Sequence, residues 1–164
     1  MTEYEVRGPF KVPIEKRPAG RKIGDPEEFW EKNEHLKEKK GIYVFGMRAG
    51  KGIVPYYVGK TATGFQHEAF HFHKLDKYND ALLEYKRGKP VMFFIVRPVK
   101  RGTVKKKEIS KIEDFLIQVG IAKNSGLLNV RGTKQPKWTI AGVIRSNRGQ
   151  STKAARQFKA MMNL

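Results

Sequence analysis

Residues 41–60, GIYVFGMRAGKGIVPYYVGK, decide how this chain folds. Two apolar runs rich in β-branched and aromatic residues, 42–47 and 53–58, flank Arg48-Ala49-Gly50-Lys51-Gly52, whose glycines supply the φ > 0 conformations of a tight reversal. The pattern predicts a β-hairpin. Pairing Tyr43 with Tyr57 places the reversal at Gly50 and sets Gly41 opposite Gly59, so turn chemistry and register agree. Side chains alternate with period two, so both tyrosines and both glycines then share a face, the tyrosine Cβ atoms about 5 Å apart beside bare backbone that a phosphodiester can approach.

On the amino-terminal side, residues 1–24 carry Pro9, Pro13 and Pro18 among Arg7, Lys11, Lys16, Arg17, Arg21 and Lys22. They read as an extended basic arm, with 10–12 at most an edge strand. Asp25-Pro26-Glu27-Glu28 predicts a helix start, with Asp25 as N-cap and Pro26 at the first helical position; the helix is expected to reach about residue 40 and to pack Phe29, Trp30 and Leu36 on the sheet.

On the other side, an apolar stripe of Ala69, Phe72, Leu75, Leu82 and Tyr85 predicts one helix over 65–86, stopped by Gly88. VMFFIV, residues 91–96, reads as a central strand buried on both faces. Ile109, Ile112, Leu116 and Val119 predict a helix over 105–119 with Glu113 bordering its apolar face, followed by a loop at 120–126. A further strand at 138–144 and a final helix at 151–162 complete the pattern. The expected architecture is α/β (α+β), a small mixed or antiparallel sheet flanked by helices. Residues 1–40 form the basic arm and helix, 41–130 the core, and 131–164 a strand and basic helix packed on that core.

The 164 residues hold 34 lysines and arginines against 16 acids, a net charge of +18, and no cysteine. Self-repulsion of that size is relieved by a polyanion, so nucleic acid is the expected partner. Disulfide and thiolate chemistry are excluded. Neither a signal-peptide pattern nor an apolar run of membrane-spanning length occurs, so a soluble, cytoplasmic protein is expected.

Gly41-Ile42-Tyr43 and Tyr57-Val58-Gly59 resemble the two signature tripeptides of the GIY-YIG endonuclease family, with Val58 in place of the second isoleucine. Glu113, within Ile112-Glu113-Asp114-Phe115-Leu116-Ile117, and Asn129, within Leu127-Leu128-Asn129, follow in the order and rough spacing of the family's metal-binding glutamate and its asparagine. The resemblance covers about 41–129. It implies metal-dependent hydrolysis of DNA by water attack on phosphorus, with Tyr43 and Tyr57 positioning or deprotonating water, Glu113 holding one divalent cation, usually Mg²⁺, and Asn129 orienting the site. A phenol serves as base near neutrality only where cations favour its phenolate, and Lys60 and Lys74 are the available cations. One carboxylate with waters and phosphate oxygens suits magnesium, which dehydrates reluctantly.

One departure stands out. The family usually carries an arginine on the helix after the second tripeptide, and here no arginine occurs before Arg87; counting from Phe65 puts Glu68 in its place. His67, His71, His73 and Lys74 are the substitutes at hand. On helical spacing His67, His71 and Lys74 share a face, so Lys74 is expected to supply the positive charge and His71 or His73 to assist proton transfer. The plainer reading is a cationic face that binds phosphates without catalysis, which makes an inactive nucleic-acid-binding protein the alternative function.

Two other motifs are weaker. His67-Glu68-Ala69-Phe70-His71 fits the H-E-x-x-H zinc-peptidase pattern, but no histidine follows His73 to serve as third ligand. Gly59-Lys60-Thr61 echoes the end of a phosphate-binding loop, yet Val54 stands where its first glycine belongs, so Lys60 is better read as a contact to a nucleic-acid phosphate.

Overall fold

A computed structural model describes residues 3–50, 52–97, 105–129, 131, 140, 141, 143 and 152–162. The chain divides into two compact units, 1–133 and 134–164. The first contains strands β1 (Glu5–Lys11), β2 (Ile14–Arg17) and β3 (Gly20–Ile23), helix α1 (Pro26–Lys32), a 3-10 turn (Glu34–Leu36), strands β4 (Gly41–Ala49) and β5 (Gly52–Thr61), helices α2 (Phe65–Glu68) and α3 (Phe72–Glu84), strand β6 (Lys89–Val96) and helix α4 (Lys106–Lys123). Four strands form an antiparallel sheet in the order β1-β6-β4-β5, and β2-β3 is a separate hairpin. The fold is therefore α+β with an antiparallel sheet, as the residue pattern predicts. Among the described residues, no helix is long and apolar enough to cross a membrane.

The central hairpin forms, with a different register. Ala49 pairs with Gly52 across a two-residue loop, and Gly50 has φ +58°. A bulge then inserts Tyr56, so that Phe45 faces Tyr57, Tyr43 faces Gly59 and Gly41 faces Thr61. The pairing expected for Tyr43 with Tyr57 is thus displaced by two residues. Because the displacement is even, Tyr43, Tyr57 and Gly59 still share one face.

The glycines are not bare. A Cβ on Gly59 would lie 2.6 Å from Cε2 of Tyr43 and nearer still to Cζ and the hydroxyl; one on Gly41 would strike the Ile95 carbonyl, at φ +148°. The first glycine admits a tyrosine ring and the second a neighbouring strand. Neither leaves backbone open to a phosphodiester.

The amino-terminal residues are folded rather than an extended arm. β1 is the sheet edge, with its irregularity between Arg7 and Phe10, where Pro9 lacks a donor. Val12 and Ile23 are buried in the core, and Arg21 of β3 donates to the carbonyls of Gly88, at 2.6 Å, and Tyr85. Helix α1 starts as expected, Asp25 accepting from the amide of Glu27 at 2.9 Å, but ends at Lys32 rather than near 40. The buried Asn33 side chain takes the Phe29 carbonyl at 2.8 Å, the acceptor that the next helical amide needs.

The predicted helix 65–86 is two helices. Tyr78 donates its hydroxyl to the Ala69 carbonyl at 2.7 Å, occupying the acceptor of a continuing helix, and His71 is extended (φ −58°, ψ 145°). Phe70 is buried at this break between Phe29, Trp30 and Tyr78, while Phe72 is exposed. β6 lies inside the sheet, as VMFFIV predicts.

α4 runs four residues past the expected end at 119, because Gly120 gives room for Leu127 folding back over it. Its buried side is also rotated: Ile109, Ile117 and Ile121 are buried, whereas Val119 is exposed. Glu113 falls in that line at spacings of four. These isoleucines pack with Ile42 and Val58 on one sheet face, each side chain contributing about 1.5–3 kcal/mol. The opposite face, with Tyr43, Phe45, Met92 and Phe94, meets α1, α2 and α3.

In the second unit the expected strand at 138–144 lies outside the described residues except Ile140, Ala141 and Val143, where the Val143 amide bonds the Ile140 carbonyl at 2.9 Å. Helix α5 (Lys153–Met162) forms, capped by Thr152, whose Oγ accepts from the amide of Ala155 at 3.1 Å.

Candidate active site

β5 is the open edge of the sheet, and an unpaired edge needs cover. The segment after α4 supplies it. The Leu128 amide donates to the Tyr56 carbonyl at 2.7 Å, and Asn124 Nδ2 to the Pro55 carbonyl at 2.8 Å. Asn129 closes the edge at Val58 from both sides, its Oδ1 accepting from the Val58 amide at 2.9 Å and its Nδ2 donating to the Val58 carbonyl at 2.6 Å. The same segment brings α4 alongside β5 and sets Glu113 next to Tyr57.

Tyr57, Lys77, Glu113, Ile117, Asn129 and Arg131 line a cleft of about 180 Å³. The Glu113 side chain is only 14% exposed, and its Oε2 is 2.7 Å from Nζ of Lys60, which also donates to Ser110 Oγ at 3.0 Å. Lys60 and Ser110 line a second cleft of about 370 Å³ together with Thr61, Thr63, Glu68 and Lys106. The Lys60 to Glu113 ion pair therefore stands between two hollows along the β5 edge. Cations occur on both sides of one carboxylate.

Tyr57 is half-buried and its phenol is pushed above the ordinary range, first by burial and then by the negative charges of Glu113 and Glu68. Tyr43 is fully buried. Its ring lies 6.3 Å from that of Tyr57 with 29° between planes, and its hydroxyl donates to the Glu68 carbonyl at 3.4 Å. Burial, followed by Tyr78, Tyr57, Glu68 and Glu113, pushes its phenol well above the ordinary range. The phenols are shifted away from the ionisation expected of Lys60 and Lys74, first because they are buried and then because the carboxylates of Glu113 and Glu68, which engage those ammoniums at 2.7 Å, stand near. Tyr43 is a proton donor here, to the Glu68 carbonyl.

Of the residues expected to act together, Tyr57, Glu113 and Asn129 meet in one cleft, and Lys60 joins them through Glu113. Lys74 is held by Glu68, 5.9 Å from the centroid of the Tyr43 ring. His73 is exposed on the first turn of α3, its ring 3.6 Å from that of Phe72, and is not part of the cleft lining. The break before α3 also separates His67 and His71, which do not stand one helical turn apart, so the H-E-x-x-H pattern has no helix to sit on.

Sequence reasoning missed two cations of the cleft lining, Arg131 and Lys77, of which Lys77 contacts the cleft's other residues. The Lys77 Nζ sits 5.8 Å from the centroid of the Tyr57 ring and donates to the Leu128 carbonyl at 2.6 Å, so it belongs to the cleft and ties down its covering segment. The available signal was its spacing of three from Lys74, which puts both on neighbouring parts of one helix face.

Among the described residues, no group of three or more His, Cys, Asp or Glu gathers as a metal cage. Glu113 is the one carboxylate lining the cleft, and Lys60 already engages it, so a cation held there would keep most of its waters, as magnesium does. No family model, no curated protein and no solved structure matches the chain.

Proposed function

We propose that this protein is a metal-dependent endonuclease of GIY-YIG type, hydrolysing phosphodiester bonds of double-stranded DNA by water attack. The observation that carries this reading is the meeting of Glu113 and Tyr57 in one cleft with Lys77 on one side and Lys60 on the other. Glu113 is the residue that would hold Mg²⁺. The ion, when bound, polarises the phosphoryl group and makes water a better nucleophile.

The chain's own groups do the rest. Lys60 leaves Glu113 for a phosphate oxygen, an exchange of one anionic partner for another. Lys77 offsets charge building on the phosphoryl oxygens, the role of the missing family arginine. Tyr57, protonated at neutral pH, donates a hydrogen bond. Tyr43 packs against Gly59 and supports Tyr57 from behind, and Asn129 fixes the β5 backbone beside it. The basic surface adds affinity without sequence choice.

A second reading is a nucleic-acid-binding protein without catalysis, favoured by the ion pair that already engages the Glu113 carboxylate. Supercoiled plasmid incubated with the protein, with and without Mg²⁺, separates the two. Nicking that requires Mg²⁺ and is lost in Glu113→Gln, with DNA binding retained, supports the nuclease; binding that never produces nicks supports the alternative.

A further inference from the structure

A hollow of about 240 Å³ at one end of the sheet is lined by Arg7, His35, Leu36, Lys39, Val96 and Arg97. Four of the six are basic side chains and none is an acid. Glu5 is ion-paired with Arg7, and the charge of Glu108 reaches Tyr4 close by. Arg97 Nε is buried without a hydrogen-bond partner among the described residues, and so is the hydroxyl of Tyr4, whose phenol is raised first by burial and then by the Glu108 charge, with Arg97 opposing. A buried donor left unmet costs about 1–3 kcal/mol, so Arg97 in the wall of a cationic hollow calls for an acceptor rich in lone pairs.

We infer that this hollow binds a phosphate group. A compact oxyanion accepts several donors at once, and guanidinium geometry suits it better than it suits a halide. The source is a nucleic-acid backbone, an assignment that rests on the proposed nuclease reading and follows from position. Across the sheet, Glu5, Val96, Gly41 and Thr61 stand in one row of paired residues, so the hollow and Thr61, beside Lys60, lie at the same end of the sheet. Three strand spacings separate β1 from β5, about 14 Å in all. The carbonyls of Lys39 and Lys37 accept from the amides of Phe65 at 3.0 Å and Gln66 at 3.2 Å, joining the hollow's wall to the loop after β5. Arg97 follows Val96 at the end of β6, two strand spacings or about 10 Å from β5, so at about 3.4 Å of axis per phosphate a B-form strand engaged at Lys60 presents another phosphate to it about three nucleotides away. The hollow anchors the strand away from the site of cleavage.

The test uses the full chain without Mg²⁺. Titration with inorganic phosphate, followed by NMR at the arginine Nε–H resonances, is expected to move the Arg97 signal saturably, and Lys39→Ala to weaken that response. Duplex DNA binding, measured by fluorescence anisotropy at about 50 and about 200 mM salt, is expected to weaken in both Arg97→Gln and Lys39→Ala, and each lost contact reduces the affinity change between those salts by about threefold. Circular dichroism melts confirm that both variants fold, and Lys39→Ala, at an exposed position, stands in should Arg97→Gln fail to. Phosphate shifts scattered over many lysines and unchanged in the variants overturn the site. Phosphate binding with unaltered DNA affinity in both variants overturns the nucleic-acid source in favour of a free anion. Because no metal is present, these results are independent of whether plasmid is ever nicked: a positive pocket with Glu113-independent or absent nicking sinks the nuclease and leaves the phosphate site standing.

Discussion

Replacing Gly59 by alanine tests how the second signature tripeptide is used. Gly59 is not among the residues with positive φ, so alanine meets no backbone strain and even gains about 0.4–1 kcal/mol from a less flexible unfolded chain. What it meets is Tyr43. The added Cβ would lie 2.6 Å from Cε2, with Cζ and the hydroxyl nearer still, whereas carbon atoms settle at about 3.5–4.0 Å, so the ring must retreat by about 1 Å or more. It is fully buried, with Phe65 edge-on at 6.3 Å and Tyr57 stacked at 6.3 Å, so no open space receives it. Overpacking of this kind costs about 1–3 kcal/mol, and for a chain of this size each kcal/mol lowers Tm by about 2–4 °C. Thermal melting of Gly59→Ala is expected to show a loss of about 2–12 °C, less the small gain from the unfolded chain. In a Tyr43→Leu background the same alanine is expected to cost almost nothing, a coupling above about 1 kcal/mol. An unchanged Tm in Gly59→Ala, or an equal loss in both backgrounds, refutes the close packing. Full stability with lost DNA binding points instead to direct approach of the substrate at Gly59.

Tyr43→Phe removes one long hydrogen bond, so stability is expected to fall by less than about 1 kcal/mol and plasmid nicking to persist; abolished nicking in a folded variant would restore Tyr43 as a chemical participant. Asn129→Ala strips the Val58 amide and carbonyl of their partners at about 1–3 kcal/mol for each group left unsatisfied, and hydrogen exchange at the Val58 amide is expected to accelerate well beyond that of central β4; unchanged protection contradicts the edge-latch role. Tyr43, Tyr57 and Tyr78 all have phenols raised mainly by burial, so the folded chain keeps protons that the unfolded chain releases above about pH 10. Stability is therefore full below that pH and falls as pH rises through the folded values; spectrophotometric titration at 295 nm is expected to show these tyrosines ionising only with unfolding, and early reversible ionisation of all three contradicts their burial.

The sequence by itself determined the hairpin, the face shared by Tyr43, Tyr57 and Gly59, the start of α1 at Asp25 and the inner position of β6, because each rests on local causes: side-chain alternation, a capping carboxylate, an unbroken apolar run. Tertiary structure alone decided the rest. The bulge at Tyr56 changed the partner of Tyr43, the hydroxyl of Tyr78 met the Ala69 carbonyl and divided a helix that periodicity joined, and Leu127 returning over Gly120 lengthened another. The same holds at the candidate site. Residue types and order named Glu113, Tyr57 and Asn129, but which lysine stands beside them depended on that helix break, which leaves Lys74 with Glu68 and puts Lys77 in the cleft. Spacing along a chain carries the preferences of neighbours a few residues apart. Whether a phenol faces a cleft or an interior is fixed by segments well beyond a helical turn in sequence, Phe65 and Glu68 at Tyr43 and Lys77 and Glu113 at Tyr57, whose arrival no local pattern encodes.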